Sequence, residues 1–165
     1  MLIPYEKLDA QSRVWIYQAS DILTSDQVLG IKTELNEFLE DWTAHNAQLF
    51  TFGDVYYDRF LVIFADERFT GASGCSIDKS VHFIENIEKK YGISLLGRMQ
   101  VAYLDGLKSD AKSIMTSPLN DLQGLFADGV INSQTLVFDN LVKTKADFES
   151  KWTKPLQESW HKRFV

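Results

Sequence analysis

Apolar residues recur along this chain on two different periods. From Val28 they return at Ile31, Leu35, Phe38, Leu39 and Trp42, the spacing that lays a single apolar stripe down a helix. Thr24 or Ser25 stands where a side-chain oxygen would cap that helix. A second stripe of Ile77, Val81, Ile84, Ile87 and Tyr91 runs up to Gly92, a residue suited to a left-handed C-terminal cap. The β-branched and aromatic stretches Ser12 to Ala19, Gln48 to Tyr57, Phe60 to Ala65 and Met99 to Leu104 predict strands. The third of these is wholly apolar, which predicts a strand covered on both faces.

The order strand, helix, strand, strand, helix, strand is that of the split β-α-β, ferredoxin-like unit. The predicted class is therefore α+β, with a ferredoxin-like core over residues 12–104. Residues 105–165 predict a helix, strand and helix packed on that core as part of one domain, because they are too few and too weakly apolar to carry a core of their own. Gly106 to Thr116 reads as a loop, and Ser117 with Pro118 as the cap and first position of a helix carrying Leu119, Leu122, Leu125 and Phe126. Gln134 to Phe138 reads as an extra edge strand. A last helix runs from a Thr144 cap through Trp152 and is ended or kinked by Pro155.

Composition narrows the function classes. The 165 residues suffice to bury a core without disulfide or metal, and the net charge of −6 sets a repulsive field before nucleic-acid phosphates and anionic lipid surfaces. Nucleic-acid and membrane partners are thus not expected. The single cysteine, Cys75, can form no internal disulfide, and Met1 to Gln11 lacks the apolar run of a secretory signal. A cytoplasmic location is expected.

The segment from Thr70 to Asp78 sets two glycines, two serines and the cysteine between a buried strand and a helix start. Such a junction offers unpaired amides and a partial positive charge to an anion. The expected site is a pocket for a small anionic ligand formed by Ser73, Gly74, Cys75, Ser76 and Asp78. A second reading makes Cys75 a nucleophile with its pKa lowered at the helix start, with His82 or His161 as base and Asp78, four residues before His82, as the group that orients it. In a third, Gly71 and Gly74 only turn the chain, Ser76 or Asp78 only cap the helix, and Cys75 is a small buried hydrophobe.

The other histidines are placed by geometry or not at all. A helix of roughly 18 residues, about 27 Å long, is expected to carry His45 to the pole opposite Cys75. Asp66 and Glu67 are expected at the same end of the sheet as Asp21, where three carboxylates could hold a divalent cation. No further ligands follow at metal-site spacing, so no metal or other cofactor is expected. The tail from Thr144 is locally about +2 against about −8 elsewhere, a docking preference for the acidic body. Its Trp152, Trp160 and His161 either anchor it there or, if exposed, serve a partner or a homodimer.

These residues also carry a resemblance. Trp42 with His45, Ala72 through Asp78, Arg98, and Ser159-Trp160-His161 are similar to those of a family of small bacterial proteins labelled ABC transporter ATPases. The resemblance implies no activity. An ATPase would need a phosphate-binding loop of the form GxxxxGK[ST], and Gly71 to Asp78 contains no lysine.

Overall fold

A computed structural model describes residues 1–106 and 113–165. β1 (Arg13–Gln18) leads into α1 (Ser25–Asp41), where Thr24 accepts from the Gln27 amide and the Gln27 side chain accepts from the Thr24 amide. This reciprocal cap fixes the start that the apolar stripe predicts. A short hairpin of β2 (Thr43–Ala44) and β3 (Ala47–Gln48) precedes β4 (Phe50–Tyr56) and β5 (Phe60–Asp66). α2 (Gly74–Tyr91) follows and ends at Gly92, whose φ of 64° is the left-handed cap expected of it.

The first sheet has the order β1-β5-β4, antiparallel throughout, so β1 and β4 run parallel with β5 between them. β5 is buried along its whole length, as its unbroken apolar run predicts. Its odd-numbered residues Leu61, Ile63 and Ala65 face α1 and α2 and pack on Ile31, Leu35, Leu39 and Ile84. Its even-numbered Phe60, Val62 and Phe64 face the other way.

What they face is a second sheet. β6 (Gln100–Leu104) does not extend the first sheet beside β1, as a ferredoxin-like order requires, but pairs with β7 (Ile114–Pro118) and β8 (Leu136–Phe138). With β9 (Thr153–Pro155) these make a sheet of order β7-β6-β8-β9. Ala102 and Leu104 of β6 pack toward the first sheet, and Val101 and Tyr103 toward Leu119, Leu122 and Leu156 on the far side. The alternation within β6 makes it a central strand of its own sheet, with a different apolar layer on each face.

This corrects the expectations for the C-terminal third. Ile114 to Pro118 is strand where a loop and a helix start were expected, and the rest of that loop, 107–112, lies outside the described residues. Pro118 instead precedes a single turn, Leu119–Asp121, ahead of α3 (Leu122–Ala127). The edge strand expected over Gln134 to Phe138 forms as β8, but between β6 and β9 and not at an edge, because β9 from the C-terminal segment pairs on its outer side. α4 (Lys145–Lys151) starts at the Thr144 cap, and Trp152 closes it. Among the described residues no helix is long and apolar enough to cross a membrane.

Candidate functional site

The loop before α2 is tied up in its own cap. Ser76 N–H donates to Ser73 Oγ at 3.2 Å, Ser73 N–H donates to Ser76 Oγ at 2.6 Å, and Ser76 Oγ–H donates to the Ser73 carbonyl at 2.8 Å. The Ala72 amide donates to Glu67 Oε1 at 3.1 Å, so a carboxylate already sits against the loop. Gly74, Cys75 and Asp78 are exposed, and Cys75 is not the buried hydrophobe of the third reading.

The base expected for Cys75 is elsewhere. His82 lies seven residues on, two turns or about 10 Å along the helix axis. Its Nδ1 pairs with Glu85 Oε2 at 3.0 Å, where Asp78 was the expected partner. His45 is not at the opposite pole: α1 and α2 run antiparallel, and Trp42 Nε1 at the end of α1 donates to the Ser76 carbonyl at the start of α2, 2.8 Å away. The hairpin with His45 therefore shares the Cys75 end, although no hydrogen bond joins the two among the described residues.

The three carboxylates also separate. β1 and β5 are antiparallel, with Arg13 opposite Ala65 and Gln18 opposite Phe60, so Asp66 sits at the Arg13 end of the sheet and Asp21 at the other. Burial opposes charge on Asp66, but hydrogen bonds from the Arg68 side chain and from the Arg68 and Asp9 amides outweigh it and hold its pKa below the ordinary carboxylate value. Among the described residues no cluster of three or more His, Cys, Asp or Glu could hold a metal ion.

The C-terminal aromatic residues lead to a different place. Trp152 is buried against Phe60, Phe138 and Phe148. His161 is 2% exposed, and Trp160 stacks on it with ring centres 3.9 Å apart. The tail is thus anchored on the body. His161 and Trp160 line a cavity of about 720 Å³ that also takes in the outer edge of β1, residues 95–98, Gln100, Phe138 and residues 140–144.

The walls are mixed in a telling way. Trp15, Tyr17, Ile16 and Phe138 supply apolar surface, while Arg13, Arg98, Lys143 and Arg163 supply four cations, and among the described residues no Asp or Glu lines the cavity. Arg13 pairs with Glu67 at 3.3 Å and stands 4.6 Å from the Trp15 ring centre. Arg98, Lys143 and Arg163 have no carboxylate within ion-pair distance among the described residues. The nearby acid is spoken for: Asp139 accepts from Lys154 Nζ at 2.8 Å and from Trp160 Nε1 at 3.2 Å.

His161 adds a neutral donor. Burial pushes its pKa down to about 4, with the charges of Lys154 and Arg163 adding to the fall and Asp139 opposing it. Its Nδ1 lies 2.6 Å from Ser159 Oγ, which has no other acceptor for its hydrogen among the described residues. The hydroxyl therefore donates to Nδ1, and the ring proton sits on Nε2. Burial raises the Tyr17 phenol above its ordinary pKa, an effect partly offset by the Ser80 hydroxyl and the Arg98 charge. Cations, a neutral N–H and a protonated phenol make a wall of donors.

The sequence singled out Trp160 and His161, and Arg98 only through the family resemblance, but not the rest of this wall. Its parts come from four separated segments, and the signal that could have pointed to them is unpaired arginine beside aromatic residues in an acidic chain. Comparison with protein-family profiles, curated proteins and solved structures finds no match for this chain.

Proposed function

We propose that this protein is a binding module for a small, partly apolar anion, held in the cavity at the outer edge of β1. The observation that carries this reading is a cavity that, among the described residues, is lined by four cations and no carboxylate, with only Arg13 of the four in an ion pair, in a chain whose net charge is −6. Among the described residues Arg98, Lys143 and Arg163 are exposed and unpaired beside the apolar walls of the cavity, so their field draws an anion toward its mouth. The aromatic walls would hold the apolar part of the ligand, and the few polar groups would orient it. The expected anion pocket thus moves from the Ser73 to Asp78 loop, where a carboxylate already sits, to a place with free positive charge.

We also read the first sheet as a ferredoxin-like unit whose fourth strand has gone to the second sheet. Its β1-β5-β4 order, with β1 and β4 parallel, supports that reading. The cavity then lies where the fourth strand would pair.

The test is titration with anilinonaphthalene sulfonate, an aromatic anion whose emission rises in apolar surroundings. The expected result is saturable binding, weakened about tenfold by Arg98→Ala combined with Arg163→Ala, or roughly 1.4 kcal/mol, and weakened by added salt. Equal affinity in both proteins overturns the reading.

A further inference from the structure

We propose that the ligand of this cavity is an extended acidic peptide segment that joins the first sheet as an added strand along β1. The inference rests on the anion-binding reading above and adds the geometry by which the ligand is held.

The backbone of β1 carries the argument. In an antiparallel ladder, alternate residues direct both backbone groups to one neighbour. The Ala19 amide donates to the Arg59 carbonyl at 2.7 Å, so the odd-numbered residues Arg13, Trp15 and Tyr17 are bonded to β5. The even-numbered residues turn outward. At one end the Val14 amide donates to the Lys143 carbonyl at 3.1 Å, and the Ser12 carbonyl accepts from the Lys145 amide at 2.8 Å. At the other, the Ser20 amide donates to the Ser94 carbonyl at 3.1 Å. Between these anchors the carbonyls of Val14, Ile16 and Gln18 and the amides of Ile16 and Gln18 have no partner among the described residues. Every one of those residues lines the cavity.

An open row of strand donors and acceptors is a template for another strand. Proteins ordinarily blunt such an edge with lysine, proline or a bulge, and Trp15, Ile16, Tyr17 and Gln18 provide none of these. The row from Val14 to Gln18 is about 13 Å long, at about 3.3 Å per residue, which suits four or five residues of extended chain. Main-chain bonds would supply affinity and side-chain contacts on alternate faces would supply selectivity. One face meets Tyr17 with Arg98 beside it, and the other meets Ile16 and Phe138. The unpaired charges of Arg98, Lys143 and Arg163 make the favoured segment one that carries glutamate or aspartate.

The experiment uses the full chain, isotope-labelled for amide exchange by NMR. The probe is a pool of acetylated hexapeptides, random except for one fixed glutamate, selected on the protein and counter-selected on the Arg98→Ala/Arg163→Ala variant. The expected result is enriched peptides that slow exchange at Ile16 and Gln18 at least tenfold, with little change at Trp15 and Tyr17. Methylation of the peptide's backbone nitrogens should weaken binding about tenfold. A pool with nothing enriched, or enriched peptides that leave both amides unprotected, overturns strand addition. Anilinonaphthalene sulfonate binding that depends on Arg98 and Arg163 would then leave the anion site standing, whereas its failure removes both. Protection of the two amides that grows with protein concentration alone assigns the edge to a second copy of the chain and likewise overturns the peptide.

Discussion

The Ser159 hydroxyl lies 2.6 Å from Nδ1 of His161, and both residues are buried, with His161 in the wall of the cavity. A buried imidazole held this way resists protonation, so its titration is coupled to folding. The unfolded chain takes up the proton near the ordinary value of 6.5, the folded chain only near 4. This contribution to stability is complete above about pH 6.5 and is lost as the pH falls toward 4, a change of roughly 3 kcal/mol. Urea unfolding at several pH values should show a shallower acid decline for His161→Gln than for the parent. Parallel declines would mean that the imidazole is not kept neutral by the fold.

Asp66 makes the opposite kind of contribution. Its depressed pKa gives stability that is present above the ordinary carboxylate value of 3.8 and is lost as the pH falls below it. Arg68 holds both oxygens, with Nε 3.0 Å from each. Asp66→Asn should cost about 1–3 kcal/mol at pH 7 and flatten the stability curve below pH 4, readable by denaturant unfolding. A variant as stable as the parent would show that the fork contributes nothing net.

Cys75 is exposed at the start of α2. It should therefore be alkylated in the folded protein without denaturant, as mass spectrometry would show. Cys75→Ser should leave both stability and anilinonaphthalene sulfonate binding within error of the parent. A drop in binding would bring the α2 loop back into the site.

Trp42 joins the two helices through its indole N–H on the Ser76 carbonyl and packs edge-on to Trp15 at 5.8 Å. Trp42→Phe keeps an aromatic ring but removes the donor and part of the buried surface, and should cost about 1–3 kcal/mol. Thermal or urea unfolding would measure it, and a neutral outcome would mean that the helix ends are held by packing alone.

Much of this architecture was written in local pattern. The stripe from Val28 to Trp42, the cap at Gly92 and the unbroken apolar run of β5 each follow from spacing alone, because helix period, left-handed glycine and two-sided burial are properties of a few adjacent residues. The partner of β6 was not legible. Val101 to Leu104 reads as a good strand in either sheet, and which edge it joins depends on residues far along the chain. The site was hidden for the same reason. The unpaired arginines at 98 and 163 look like ordinary surface charges until Asp139 is seen to be occupied by Lys154 and Trp160. The Ser73–Ser76 pair, conversely, looked like a ligand loop because capping and anion binding use the same amides.

The isolated bridge between Arg13 and Thr144 joins β1 to the residue that caps α4, far along the chain. Contacts so distant in sequence close an expensive loop and are made late in folding. A newly synthesised chain therefore carries the Arg13 end of β1 bare until its last segment arrives, and partial opening at that segment would bare that end again. Because Lys143, Trp160 and His161 line the cavity, a ligand bound there would favour the seated C-terminal segment, and loosening of that segment would weaken the ligand's hold by the same linkage.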